Sequence, residues 1–107
     1  MVHINMGNSE FISYCKRLVI DYVNNSEYTT IDNHRPYIKE MHVFVVWICK
    51  TLQNNKALLS TTIDGDPRYY EITYNGDKEE FYFDAYDKLL NKCITREMLT
   101  DMEDWKW

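Results

Sequence analysis

Three histidines and three cysteines carry most of the capacity for metal or nucleophilic chemistry in this 107-residue chain. A zinc site usually draws its ligands in pairs, two residues close enough to share a turn or a helix face. His3, His34 and His42 show no such spacing, and neither do Cys15, Cys49 and Cys93. A metal site would have to be assembled from distant residues, such as His42 with Cys49 or Cys93. Nucleophilic catalysis needs a thiol beside a base that a third group orients. His42 and Cys49 fall seven positions apart on one expected strand, where strict alternation sends them to opposite faces. No glycine-rich run could cradle a phosphate. Asp64-Gly65-Asp66 starts like a calcium loop but lacks the later ligands and the closing glutamate, so it reads as a turn. The expectation is no enzyme, no cofactor and no metal, with the cysteines acting as small hydrophobes in a reduced protein.

A second constellation is acidic and aromatic. Tyr74-Asn75-Gly76-Asp77 reads as a two-residue type I′ hairpin turn, which needs φ > 0 at both central residues. Such a turn sets Ile72 opposite Glu79, Glu71 opposite Glu80, Tyr70 opposite Phe81 and Tyr69 opposite Tyr82. One face then holds Tyr70, Ile72, Tyr74, Phe81, Phe83 and Ala85. The other holds Tyr69, Glu71, Glu80, Tyr82 and Asp84, carboxylates interleaved with tyrosines. That pattern suits a solvated sheet face or a docking face for a basic protein groove. The tail repeats the theme with Asp101, Glu103, Asp104 and Trp105, so these nine residues are the candidate partner-binding set.

The elements that must position them are readable from hydrophobic periodicity. Phe11, Cys15, Leu18 and Tyr22, with Ile12, Val19 and Val23 alongside, recur at helical spacing over residues 10–23, with Asn8 or Ser9 available to cap the start. Residues 1–7 form a loose leader, and residues 24–40, interrupted by Pro36, form a long polar loop that is a second candidate for function. The apolar run 43–51 is expected to be a central strand buried on both faces. Gln53-Asn54-Asn55 turns the chain into a strand over 56–63. After a turn at Asp64–Pro67 come strands over 68–74 and 78–86. Leu89, Leu90 and Cys93 suggest a short helix, and Thr95 caps a last one carrying Met98, Leu99 and Met102. The fold class is α+β, a single domain: an N-terminal helix packed on a four-stranded antiparallel β-meander, with short C-terminal helices and an acidic, Trp-containing extension over 94–107.

Composition bounds the partner. Net charge is −5, with 15% aromatics and nine tyrosines. Residues 75–107 hold five Lys/Arg against nine Asp/Glu, which argues against a direct grip on a phosphate backbone and fits a basic protein surface. No run is long enough to span a bilayer, so a cytoplasmic protein without a membrane partner is expected.

Residues 43–54 (VFVVWICKTLQN), 56–62 (KALLSTT), 69–80 (YYEITYNGDKEE) and 84–88 (DAYDK) resemble a small family carried by phages and prophages of Gram-positive bacteria. Residues 15–22 (CKRLVIDY) resemble that family's opening, and the similarity spans most of 9–93. The chain departs from it over 33–41 and after Cys93. The resemblance brings no catalytic motif. What it implies is a phage protein acting in the host cytoplasm by occluding a host protein, first of all an anti-CRISPR protein that blocks the nucleic-acid channel of a CRISPR effector nuclease. A metal-dependent regulator or small enzyme, and a phage replication or structural accessory protein, are the alternatives.

Overall fold

The computed structural model describes residues 6–25, 35–64 and 68–100. Helix α1, Asn8–Asn25, buries Phe11, Cys15, Val19 and Val23, one residue per turn along a single line. Burying each apolar side chain contributes about 1.5–3 kcal/mol. The helix begins earlier than its capping residues suggest. The Gly7 carbonyl accepts the Phe11 N–H at 2.9 Å, so Asn8 and Ser9 lie inside the first turn. The core stripe is also rotated: Leu18 and Tyr22 are only half-buried, on the flank of the helix.

The end of α1 is pinned by one side chain. Asn24 Nδ2 donates to the Ile38 carbonyl at 2.9 Å, and the Ile38 N–H donates to Asn24 Oδ1 at 2.8 Å. The amide thus pairs with the backbone as a neighbouring strand would, and seats Ile38 in the core. A single 3-10 turn, Glu40–His42, follows. His42 Nδ1 accepts the Lys39 N–H at 2.9 Å within it.

The strands are β1 (Val43–Thr51), β2 (Asn54–Thr61), β3 (Arg68–Asn75) and β4 (Glu80–Asp87). They form one antiparallel meander in the order β1-β2-β3-β4. The expected architecture of a helix on this sheet is therefore what the chain adopts. α1 packs over β1, β2 and β3. Beneath it lie Val43, Ala57, Leu59, Tyr70, Ile72 and Tyr74. An aromatic cluster closes the β4 side, with Tyr70–Phe83 centroids 5.8 Å apart and Tyr74–Phe81 centroids 4.7 Å apart.

Three expectations are corrected. β1 is an edge strand with one open face, not a central strand buried on both, because nothing in the described residues covers the far side of the sheet. It also carries a bulge between Val45 and Trp47, which reverses the alternation along the strand. The parity argument separating His42 from Cys49 fails for that reason, although His42 lies outside β1 altogether. The β1–β2 turn is Leu52-Gln53, flanked by the Thr51–Asn54 pair, so Asn54 and Asn55 belong to β2.

The β3–β4 connection differs most. Asn75 pairs with Glu80 across a four-residue loop, and neither Asn75 nor Gly76 has positive φ; Glu79, at φ 53°, does. Asn75 Oδ1 accepts the N–H groups of Asp77 and Lys78 at 3.1 and 3.2 Å, so the side chain organises the loop as an Asx turn. Ile72 faces Phe83, Tyr70 faces Ala85, Tyr69 faces Tyr86 and Glu71 faces Asp84. The slide is an even number of residues, so every side chain stays on its expected face.

Beyond β4, residues 88–95 have no regular structure, and the helix expected around Leu89 and Cys93 does not form; Leu89 is 95% exposed. Helix α2, Arg96–Thr100, does form. Thr95 Oγ1 accepts the Met98 N–H at 3.2 Å, the cap expected of it.

Candidate functional site

Among the described residues nothing covers the second face of the meander, and that face is the candidate site. Rows of side chains cross all four strands. One row runs Trp47, Leu58, Glu71, Asp84; the next runs Cys49, Lys56, Thr73, Tyr82; a third runs Thr51, Asn54, Asn75, Glu80. Phe44 opposite Ser60 and Tyr69 opposite Tyr86 close the other end. Reading across, the face is aromatic and apolar on β1 and becomes tyrosine-rich and acidic on β4. Phe44, Trp47, Tyr69, Tyr82 and Tyr86 are all exposed, between 37% and 51%.

The charges are arranged, not scattered. Glu71 and Asp84 oppose each other, an unfavourable placement that Lys56 relieves. Lys56 Nζ sits 3.0 Å from Glu71 Oε1. Its pKa is raised by the hydrogen bond and charge of Glu71, with smaller help from Tyr86 and Asp84. Tyr82 donates its hydroxyl proton to Glu80 Oε2, which raises the tyrosine pKa and holds the carboxylate on this face. At the β3–β4 rim, Arg68 Nε donates to Asp87 Oδ1 at 3.1 Å.

Of the candidate partner-binding residues, Tyr69, Glu71, Glu80, Tyr82 and Asp84 share this one face, as expected. Their pairing is different. Glu71 does not meet Glu80, and Tyr69 does not meet Tyr82, because the longer loop slides β4 along β3. Glu71 is also no free acid, being paired to Lys56. Asp101, Glu103, Asp104 and Trp105 lie outside the described residues, as do most of the loop 24–40 and the turn 65–67.

Phe44, Trp47 and Leu58 escaped the sequence reading. An unbroken apolar run gives no sign of a bulge and has the pattern of a strand buried on both sides. Counting layers would have found them, since one long helix can cover only one face of a four-stranded sheet. Cys49 and Cys93 are exposed and Cys15 is fully buried. Among the described residues no three His, Cys, Asp or Glu side chains are grouped to hold a metal ion. No helix among them is long and apolar enough to cross a membrane.

The fold is a small α+β module, one helix on one face of a four-stranded antiparallel meander. The chain belongs to a family of unknown function, DUF6275, whose model matches residues 12–96. The matched span takes in most of α1 and the entire meander. No curated protein and no solved structure matches the chain.

Proposed function

We propose that this chain is a phage-encoded, protein-binding inhibitor that docks its open sheet face on a basic, nucleic-acid-binding groove of a host defence protein. A CRISPR effector nuclease is the class we put first, on the resemblance to phage-borne proteins. The observation that carries the binding reading is the uncovered face itself, aromatic on β1 and acidic on β4. Aromatic anchors flanked by charge are the composition of protein-binding surfaces. Clustered carboxylates match a groove that normally receives phosphates. Four strands about 4.8 Å apart and eight residues long present roughly 500 Å² of flat area. Side-chain relief brings that towards the ~800 Å² per partner of a standard interface.

The test is cleavage of target DNA by a guide-loaded effector nuclease, titrated with this protein. Two variants separate the halves of the face: Trp47→Ala with Tyr82→Ala, and Glu80→Lys with Asp84→Lys. Each pair should weaken inhibition about tenfold or more, and the charge reversal should also flatten its dependence on salt. Glu71 is left intact, since its reversal would set two lysines together. Inhibition unchanged by both pairs, or no inhibition of any effector tried, would sink the proposal.

A further inference from the structure

We infer that the free edge of β4 accepts an extended, cationic segment of a partner protein as a fifth strand of the sheet. The inference rests on reading the chain as a protein-binding module, and it specifies how part of that binding is made. The two edges of the sheet are unlike. β1 is bulged at Val45–Trp47, a distortion that discourages strand pairing. β4 keeps an unbroken register with β3 from Glu80 to Asp87, so its alternate N–H and C=O groups form a regular ladder. Among the described residues no backbone hydrogen bond reaches β4 from anywhere but β3.

Side chains on both sides of that edge say what could fill it. Towards α1, Phe11 and Tyr14 pack on Phe81 and Tyr22 packs on Phe83, yet both phenylalanines stay only partly buried on the outer side of β4. The groove beside these contacts has Tyr14, Leu18 and Tyr22 along its wall and Arg17, Asp21 and Asn25 on its polar rim. Apolar side chains of an added strand would complete that groove. On the open face, Glu80 and Asp84 stand four residues apart with Tyr82 between them, matching cations four positions apart on the incoming strand, the cation between them meeting the Tyr82 ring.

A second copy of this chain fits poorly. Full antiparallel overlap of two β4 strands sets Glu80 against Asp87, and in-register parallel pairing sets each acid against itself. Main-chain bonds would supply the attachment, and the apolar–cationic alternation would supply selectivity.

The test uses the full chain, labelled with 15N, and a synthetic heptapeptide amide alternating lysine with valine. Amide shifts should concentrate on residues 80–87 and on the α1 flank from Tyr14 to Tyr22. Two control peptides should weaken binding about tenfold or more: the glutamate–valine analogue, and a lysine–valine peptide N-methylated at alternate nitrogens so that it cannot form a ladder. Shifts centred on Phe44 and Trp47, equal binding of the methylated peptide, or no binding would overturn the inference. The nuclease titration is independent of this outcome. Trp47→Ala should weaken inhibition yet leave the peptide response intact, so failure of the edge and failure of the open face are distinguishable.

Discussion

Replacing Gly76 separates two reasons for a glycine. In a type I′ turn it supplies positive φ, and asparagine is then the best substitute. In this structure Gly76 has ordinary φ and is buried, and a Cβ built there would stand 2.1 Å from the Gln53 carbonyl oxygen and 2.8 Å from Gln53 Cβ. The nearest obstacle is backbone, so the β1–β2 turn itself would have to move. Forcing a methyl group into such a space costs about 1–3 kcal/mol. The shift would also strain the bond from the Gly76 N–H to Asn54 Oδ1, 3.2 Å long, worth about 0.5–1.5 kcal/mol. Against this, alanine loses less entropy on folding, a gain of roughly 0.4–1 kcal/mol. The net expectation for Gly76→Ala is a loss of about 2–3 kcal/mol, or a thermal midpoint lower by roughly 10–20 °C in a domain of this size. Gly76→Asn should be worse than alanine, because the larger side chain meets the same wall. Gly7→Ala, with nothing within 4 Å of the added carbon, is the steric control and, losing only the N-cap preference for glycine, should cost no more than about 1 kcal/mol. Denaturant unfolding of the three variants decides the matter. If asparagine is tolerated better than alanine, the steric reasoning is wrong and the glycine serves a positive φ.

Two further expectations follow from the same structure. Leu52 is 86% exposed and held at φ 56°, a conformation costing an L residue about 1–2 kcal/mol, so Leu52→Gly should stabilise by about 0.5–1 kcal/mol after the entropy of glycine is counted; a lower midpoint would refute it. Burial pushes the Cys15 thiol from 9.0 up to about 12. A thiol reagent should therefore modify Cys49 and Cys93 in the native protein and reach Cys15 only on unfolding. Because the folded pKa is raised, the contribution of this thiol is complete below pH 9 and is lost as pH climbs towards 12, by up to about 1.4 kcal/mol per pH unit. Fast native modification of all three cysteines would contradict its burial.

Periodicity was enough to locate α1 and the four strands, since apolar spacing reports which side of an element faces the core. Side-chain facing on β3 and β4 was equally legible, and it survived an error in the turn because the register slid by an even number. What the residues could not disclose were the contacts that depend on distant chain. Gly76 next to Asn75 signals a tight turn locally, whereas its actual constraint comes from Gln53. Glu71 looks like a free acid until Lys56 is brought beside it. The Val45–Trp47 bulge, which places Phe44 and Trp47 together on the open face, leaves no mark in a run of apolar residues. The facing of Tyr69, Tyr82 and Asp84 is therefore legible in the sequence, and that of Phe44 and Trp47 is not.

The paired hydrogen bonds between Asn24 and Ile38 also bear on how the molecule can be altered. They fasten both ends of the intervening connection to the helix–sheet core. Removing the Asn24 side-chain amide would therefore release the end of α1 and the seat of Ile38 together, so a single substitution loosens two parts of the core fourteen residues apart.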